Sequence, residues 1–251
     1  MMFSIFDEMV RVALPDLYHL KRNFPSVLIT ILVTPVLYYV SFCYGLGSNV
    51  GEMEGVSYVA FVIPGVIALS TLTSCFSSIV NKVLAQRIYY SSFDEIILCP
   101  ISPSAVVLGK ALNGFIKGML GCAILLAIGL IMSDDMHISI MLIVCIATSC
   151  MVFSLLGVLV GFLSNSLTTT MMFTSLIVVP MTFLCGTVFS VSSLPVALQY
   201  VVSALPLTYS ADCIRSAALG WPFPIASFVL LIIFGTALFV ICHYMLSKGK
   251  I

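Results

Sequence analysis

The stretch at residues 81–104, NKVLAQRIYYSSFDEIILCPISPS, decides the fold, because it is the only long polar segment between two apolar runs that carries both signs of charge. Two serines precede an acidic pair, Asp94 and Glu95, and acidic side chains favour the first turn of a helix. Two prolines follow and end that helix. The stretch therefore predicts a short amphipathic helix at a membrane surface, with apolar side chains on one side (Phe93, Ile96 and Ile97).

The composition around this stretch is that of a membrane protein. Hydrophobic residues make up 61% of the chain and charged residues only 8%, whereas about a quarter of an ordinary soluble domain is charged. The formal net charge is zero, which argues against a nucleic-acid partner. The nine cysteines are scattered without metal-site spacing, so we expect them to pack between helices and expect no metal site.

Six apolar runs are each long enough to cross a bilayer of roughly 30 Å. They predict an all-α protein with one membrane domain and spans at about residues 24–45, 58–80, 105–132, 138–163, 171–189 and 223–246. Six spans place both termini on one side. If that side is the cytosol, inner loops and span ends hold every lysine and arginine except Arg215, as the positive-inside rule requires. The expected location is the cytoplasmic (inner) membrane, with both termini cytosolic.

Two segments flank the spans. Residues 1–23 lack the pattern of a signal peptide, and their apolar stripe predicts a helix in the membrane interface, although a cytosolic helix packed on the bundle also fits. Residues 190–222 are too apolar for a solvated loop and too interrupted by prolines for one span. We expect two short helices there, about 195–204 and 208–219, which dip into the outer leaflet.

The second span carries small polar residues on one helical face. They follow at i, i+4, i+7, i+8 and i+11, namely Ser70, Ser74, Ser77, Ser78 and Asn81. Such a stripe either bonds to neighbouring helices or lines a substrate path, and Thr174 and Thr182 on the fifth span are candidates for the facing wall. Two Gly-xxx-Gly pairs, at residues 114–118 and 157–161, predict close helix contacts.

Charges inside the spans are few. Lys110 and Lys117 share a face of the third span. A charge inside a membrane indicates a functional site, but a long lysine near a helix end usually reaches for the lipid headgroups; we expect the second of these roles and leave the first open. The sequence shows no carboxylate embedded in the spans, which weakens an ion-coupled secondary transporter as an interpretation. It also shows no catalytic constellation and no GxxxxGK[ST] phosphate loop, so we expect no enzyme activity and no nucleotide site on this chain.

Together these stretches resemble the permease subunits of ABC-2 type transporters, which include drug-resistance and nodulation-factor export permeases. The resemblance covers nearly the whole chain. Its carriers are YVAFVIPG at 58–65, FDEIILCPISP at 93–103, LGK at 108–110, LP at 194–195 and LPLTYSADCIR at 205–215. Cys99 departs from the Thr or Ala frequent in the family, and Ala204 from the Asn that often precedes the proline.

The resemblance implies an interfacial N-terminal helix, six spans, a cytosolic coupling helix and outer re-entrant helices before the last span. It also implies a dimer of permeases in lipid, bound to two copies of a cytosolic ATPase that holds ATP and Mg²⁺. The translocation path would lie between the protomers, lined chiefly by the second and fifth spans. The residues expected to meet the ATPase are Tyr89, Phe93, Asp94, Glu95 and Ile97.

Within the same family pattern, Asp212 and Arg215 stand at i and i+3 and are expected to form a local pair rather than a gate or ligand contact. Two other functions stay open: a non-transporting scaffold or biogenesis subunit, and an ion-coupled secondary transporter. The substrate is open between a drug, a lipid, a glycan and another amphipathic molecule.

Overall fold

The computed structural model describes residues 5–41, 52–53, 56–90, 92–132, 137–186 and 195–248. Within these ranges the chain is almost entirely helical, with one small antiparallel hairpin of β1 (Glu52–Met53) and β2 (Val56–Ser57). The helices are α1 (Ile5–Arg22), α2 (Phe24–Val40), α3 (Tyr58–Thr71), α4 (Ser77–Leu84), α5 (Ser92–Leu98), α6 (Pro103–Met132), α7 (Ile140–Leu163), α8 (Leu167–Leu184), α9 (Val196–Ser203), α10 (Pro206–Leu219) and α11 (Ile225–Ser247).

The bundle is built around one long helix. α3 and α4 are parts of a continuous helix, Tyr58–Tyr89, that contains two wide turns of the π type at Leu72–Phe76 and Ala85–Tyr89. Its apolar window is 89% buried, against 39% for α6 and 61% for α7. Because a helix that is apolar all round must be covered on all sides, the second predicted span forms the centre of the bundle.

The helix does not end at residue 80, the predicted limit of the second span, and that limit stays a prediction for the membrane-embedded part. The helix runs on to Tyr89, and the polar segment between it and α6 shrinks to residues 90–102. The continuation is polar in sequence but not solvated, because Lys82 and Gln86 contact Asp16 of α1 and Arg87 contacts the end of α7. Partners distant in sequence therefore stabilise a helical turn that composition alone assigns to a loop.

Small residues allow α6 and α7 to approach the long helix closely. A methyl group added at Gly114 would meet Ile79 and the Cys75 carbonyl, and one added at Gly157 would meet the Phe76 carbonyl. Gly118 and Gly161 lie one turn further along, against Cys75 and Val83. The structure thus places both glycine pairs at helix contacts, as their spacing predicts.

Five helices of the described chain are long and apolar enough to cross a membrane: Tyr58–Tyr89, Pro103–Leu130, Ile140–Leu163, Leu167–Leu184 and Ile225–Ser247. The described part of the predicted first span is α2, which has 17 residues. Together with α1, from which it bends by 86°, α2 is the sixth candidate for a membrane-spanning segment. The protein therefore has five to six membrane-spanning helices, and the predicted continuation of the first span to residue 45 lies outside the described residues.

Two short helices occupy the segment before the last span, close to the predicted limits. α9 and α10 are separated by Ala204 and Leu205, and α10 ends at Gly220, whose φ of 69° is the left-handed conformation that favours glycine at a helix end. Residues 187–194, at the start of the predicted outer segment, lie outside the described residues. The depth of the two helices in a membrane stays a prediction.

Arg215 of α10 is buried and ties this pair of helices to the bundle. Its guanidinium Nη2 donates to the Gly186 carbonyl at 2.8 Å, and its Nε donates to the Phe61 carbonyl at 3.4 Å. The guanidinium carbon also lies 3.9 Å from the centre of the Phe61 ring. Arg215 thus joins α10 to α3 and to the end of α8, and its predicted pair with Asp212 stays a prediction.

Candidate coupling helix and translocation groove

The candidate coupling helix α5 is anchored by Phe93. The Phe93 side chain is only 1% exposed, and its ring centre lies 5.5 Å from that of Phe162 at the end of α7. Phe93 was expected to contact a partner directly, and this expectation is wrong for the chain as folded, because α7 already covers the ring. Its position makes Phe93 the attachment of α5 to the bundle.

The other predicted coupling residues are distributed around α5. Tyr89 is 66% exposed at the end of the long helix, and Glu95 is exposed on α5 itself. The side chains of Asp94 and Ile97 lie outside the described residues. Tyr89 and Glu95 therefore offer an exposed aromatic ring and a carboxylate on either side of the buried anchor, and a contact of either with an ATPase stays a prediction.

The chain entering α5 is fixed by Arg87. Its guanidinium Nη1 donates to three carbonyl oxygens at the end of α7, those of Gly161 at 2.9 Å, Phe162 at 2.6 Å and Ser164 at 3.1 Å. The last carbonyls of a helix lack partners within the helix, and a cation there also meets the negative end of the helix dipole. Arg87 therefore caps α7 and holds the base of α5 in place.

The chain leaving α5 is fixed by Glu8 of α1. The Glu8 carboxylate accepts hydrogen bonds from the Ser102 hydroxyl at 2.7 Å and the Ser102 backbone N–H at 3.0 Å. These two bonds hold the pKa of Glu8 below its ordinary value. Two residues further on, the Ser104 hydroxyl lies 3.1 Å from Nδ1 of His243 on α11. Contacts with α1, α7 and α11 thus fix both ends of the α5 segment.

A buried ion cluster lies between α1, α4 and α6. The Asp16 carboxylate is 3.0 Å from Lys82 Nζ and 3.7 Å from Lys110 Nζ, and it accepts a hydrogen bond from Gln86 at 3.3 Å. Lys110 was expected to reach for the headgroups, and this is wrong: the residue is 2% exposed, because Asp16 balances its charge inside the protein. Asp16 is itself only 3% exposed, but it lies on α1 and not on a predicted span, so the expected lack of a carboxylate in the spans stays a prediction.

The small polar stripe of the second span opens onto a cavity. A space of about 390 Å³ is lined by Thr30 and Ile31 of α2 together with Thr73, Ser74, Ser77, Ser78 and Asn81. Ser70 does not line it; this residue is 1% exposed, and its hydroxyl lies close to Gly121 of α6. Four of the five predicted stripe residues therefore share one open groove, and Ser70 packs against α6.

A second, larger cavity continues the groove toward the ion cluster. It measures about 570 Å³, shares Ser78 and Asn81 with the first, and is lined further by Pro15, Asp16, His19, Lys82, Ala85, Gln86, Tyr90 and Lys117. Its volume is in the range of small-molecule sites, roughly 300–1,000 Å³. We call the two spaces together the polar groove. A third cavity of about 370 Å³ lies beyond Asp16, under α5, and has Glu95, Arg11 and Lys110 among its lining residues.

The predicted facing wall on α8 does not line this groove within one chain. Thr174 and Thr182 are half-buried, and the Thr182 hydroxyl donates to the Val178 carbonyl of its own helix at 2.7 Å. α8 lies beside α4 and α7, and only 11% of its apolar window is buried. A role of these threonines in a path therefore stays a prediction that concerns the exposed side of α8.

Some of the functional geometry gave no signal in the sequence. The capping role of Arg87 depends on carbonyl groups more than seventy residues away, and no local pattern marks it. Asp16 did carry a signal, since it follows Pro15 in an amphipathic helix that otherwise buries apolar side chains. Among the described residues there is no group of three His, Cys, Asp or Glu side chains that could hold a metal ion.

Comparison with known proteins gives one consistent result. A family model described as "ABC-2 type transporter" matches residues 17–219, which is more than half of the chain. The chain is 23% identical over 239 residues to the inner membrane transport permease YadH of Escherichia coli K12, covering 94% of this chain and 93% of that protein. It is 30% identical over 192 residues to nodulation protein J of Rhizobium leguminosarum bv. viciae, covering 76% and 74%. Nodulation protein J of Neorhizobium galegae is 30% identical over 205 residues, covering 81% and 78%.

Proposed function

Because the chain belongs to the ABC-2 type transporter family, we propose that it is the permease of an ATP-driven exporter, coupled through α5 to a separate cytosolic ATPase. Membership makes the protein a multi-pass membrane transport component rather than the ATPase itself. The coupling, the direction of transport and the assembly belong to the proposal. ATP and Mg²⁺ are held by the ATPase, and this chain holds no cofactor.

The observation that carries the proposal is the fixation of α5 at both ends. Arg87 and Phe93 attach its start to the end of α7, and Glu8 attaches the segment after it to α1. A helix held in this way passes a push from outside directly to the membrane helices, whereas a mobile loop would absorb it. Its exposed carboxylate, Glu95, is a suitable contact for a basic surface on the ATPase.

Two copies of the permease and two ATPases form the working unit in this proposal. The polar groove lies beside the long helix, and α8 exposes most of its surface in the single chain. In a dimer the exposed side of α8 contacts the second copy and completes the wall of the path. ATP-driven closure of the ATPases moves α5, and α5 moves the long helix and α7 together.

The orientation follows from the same proposal. The end of the bundle that carries α5 also carries the lysines and arginines of α1, α4 and the start of α6. We assign this end to the cytosol, with both termini on that side and α9 and α10 on the outer side. The location in this proposal is the inner membrane, which is also where the name of the E. coli relative YadH places that protein.

A pull-down from native membranes in mild detergent tests the coupling. The tagged chain is expected to recover a soluble ATPase, and Glu95→Lys is expected to recover much less while the permease keeps its native melting temperature. Asp7→Lys is the matched control, because it makes the same charge reversal at an exposed site on α1. Replacing residues 89–98 with a Gly/Ser linker is expected to abolish recovery.

The outcomes separate the competing functions. If Glu95→Lys and the linker variant both recover as much ATPase as the native chain does, α5 is not part of the contact. Recovery of an ATPase without ATP-dependent transport in proteoliposomes would indicate a scaffold or biogenesis subunit. Transport that needs an ion gradient and no ATP would indicate a secondary transporter and would overturn the proposal.

A further inference from the structure

The polar groove holds more positive than negative charge. Lys82 and Lys117 line its larger cavity, and Lys110 lies against the same carboxylate from the α6 side. Asp16 is the one acidic residue that lines this cavity, and it forms the two ion pairs found for these lysines among the described residues, at 3.0 Å and 3.7 Å. Three lysines therefore share one aspartate.

Lys117 is the one of these three lysines that forms no ion pair among the described residues. It is half-buried on α6, two turns beyond Lys110, and within the described chain no carboxylate lies within 4 Å of its ammonium group. A charge held at such a depth between helices costs free energy unless a counter-charge reaches it. The hydroxyl of Ser78 and the amide of Asn81 line the same cavity and add hydrogen-bonding groups beside it.

The groove also has an apolar neighbour. Ile31 of α2 lines both the polar groove and a narrow apolar cleft between α2 and α6, whose other walls include Val27, Leu28, Leu120 and Ile124. A molecule with a charged head at Lys117 would have hydrocarbon surface within reach along this cleft. The site therefore combines a cationic cavity and a shallow apolar cleft at the surface of the bundle, a combination that suits the headgroup and chain of a lipid.

We propose that the polar groove binds an anionic amphiphile, with its phosphate group at Lys117 and Lys82 and its chain along the cleft between α2 and α6. Binding of the amphiphile to the groove does not require the ATPase. The inference rests on the proposed function only where it takes this amphiphile to be the class of molecule that is transported. The phosphate supplies the counter-charge that Asp16 alone does not provide, and Ser78 and Asn81 donate to its remaining oxygens.

The test uses the full chain in nanodiscs made of equal parts phosphatidylcholine and phosphatidylglycerol. Native mass spectrometry after release from the disc counts the phosphatidylglycerol that stays bound. Lys117→Gln is expected to lower the amount of retained phosphatidylglycerol about tenfold, because one charge-assisted hydrogen bond is lost. Lys117→Arg keeps the positive charge and is expected to retain the lipid as the native chain does. Lys21→Gln, an exposed lysine of α1, is the control for lipids held at the surface and is expected to behave as the native chain.

A second arm separates a lipid headgroup from a free anion. The chain in phosphatidylcholine discs is titrated with inorganic phosphate, and its melting temperature is followed. One outcome is that phosphate raises the melting temperature of the native chain but not that of Lys117→Gln, while the two proteins retain the same amount of phosphatidylglycerol in the first arm. The site then binds soluble phosphate, and the proposal that it binds an amphiphile is overturned. If the native chain and Lys117→Gln retain the same amount of lipid and also respond equally to phosphate, Lys117 binds neither ligand and the proposed site is overturned. Since neither arm contains an ATPase, failure here leaves the coupling proposal untouched, and a failed pull-down leaves this binding result valid.

Discussion

Asp16 of α1 and Lys110 of α6 face each other inside the protein, with the carboxylate 3.7 Å from the ammonium group and both side chains almost fully buried. The pair joins the first helix of the chain to the third predicted span. Lys82, at 3.0 Å from the same carboxylate, extends the connection to the long central helix. One aspartate thus holds three helices together at the end of the bundle that carries α5.

Asp16→Asn is expected to destabilise the protein by about 3–5 kcal/mol, because it leaves the buried Lys110 without a counter-charge. Thermal unfolding in detergent, followed by tryptophan fluorescence or static light scattering, measures the loss. Asp16→Asn combined with Lys110→Met is expected to recover part of it, because the unpaired charge is removed. Equal stability of the single and double variants would show that the stranded charge of Lys110 is not the cause of the loss.

Phe93→Ala is expected to release α5 from α7, since deletion of a buried aromatic ring costs about 3–5 kcal/mol where the site cannot collapse. Hydrogen–deuterium exchange of residues 92–98 is expected to rise by orders of magnitude while that of α7 stays low. Glu95→Ala, an exposed neighbour on the same helix, should leave exchange unchanged. Slow exchange in Phe93→Ala would mean that other contacts hold α5.

Arg87→Ala is expected to weaken the end of α7, because three carbonyl oxygens lose a charged donor. A hydrogen bond to a charged group contributes about 1.5–3 kcal/mol. Exchange at residues 160–166 reports the fraying directly. Arg87→Lys serves as the comparison: its single ammonium cannot match the planar guanidinium, so it should restore part of the protection. Full protection in Arg87→Ala would contradict the capping role.

The Glu8–Ser102 contact is expected to depend on pH. Ser102 lowers the pKa of Glu8 in the folded chain, so the contact favours the folded state above the ordinary glutamate pKa and is lost as the pH falls through the lower folded value. Amide exchange at residues 101–104, corrected for the intrinsic pH effect, should stay slow at pH 6 and rise below about pH 4. In Glu8→Gln the same segment should show no such transition.

Gly157→Val is expected to be strongly destabilising, because its side chain would meet the Phe76 carbonyl of the central helix. Overpacking of a filled core costs about 1–3 kcal/mol, and backbone at this contact leaves little room to adjust. The melting temperature in detergent measures the effect. Ala127→Val introduces the same side chain at an exposed position on α6 and should melt as the native chain does.

Much of the fold was readable from the sequence, because apolar runs and glycine spacing are local signals. The limits of α7 and α11 fall within two residues of prediction, and the Gly157–Gly161 pair lies at a helix contact. The failures share one cause. The turns around Gln86 and Lys110 looked solvated because their partner, Asp16, lies far away in the sequence, and Phe93 looked available because Phe162 covers it only in the folded chain.

The candidate site was predicted in outline and not in its electrostatics. Helical spacing placed Ser74, Ser77 and Ser78 on one face, and they do line one cavity. Spacing cannot show which opposing helix brings a charge to that face. Lys82 of α4 and Lys117 of α6 supply the positive charge of the groove, and α1 brings Asp16 to it by folding back on α6, which Gly109 permits by lying against Met9 and Val12 of α1.

The wide turn at Leu72–Phe76 divides the central helix into one half that packs on α10 and another that borders the groove. A turn of this type accommodates one residue more than an α-helical turn, and such turns are frequent at functional sites. In evolutionary terms it is a place where a single codon can be gained or lost while each half keeps its own neighbours. Relatives can therefore change the lining of the groove without disturbing the packing on α10, and we expect their alignment to carry a one-residue gap here.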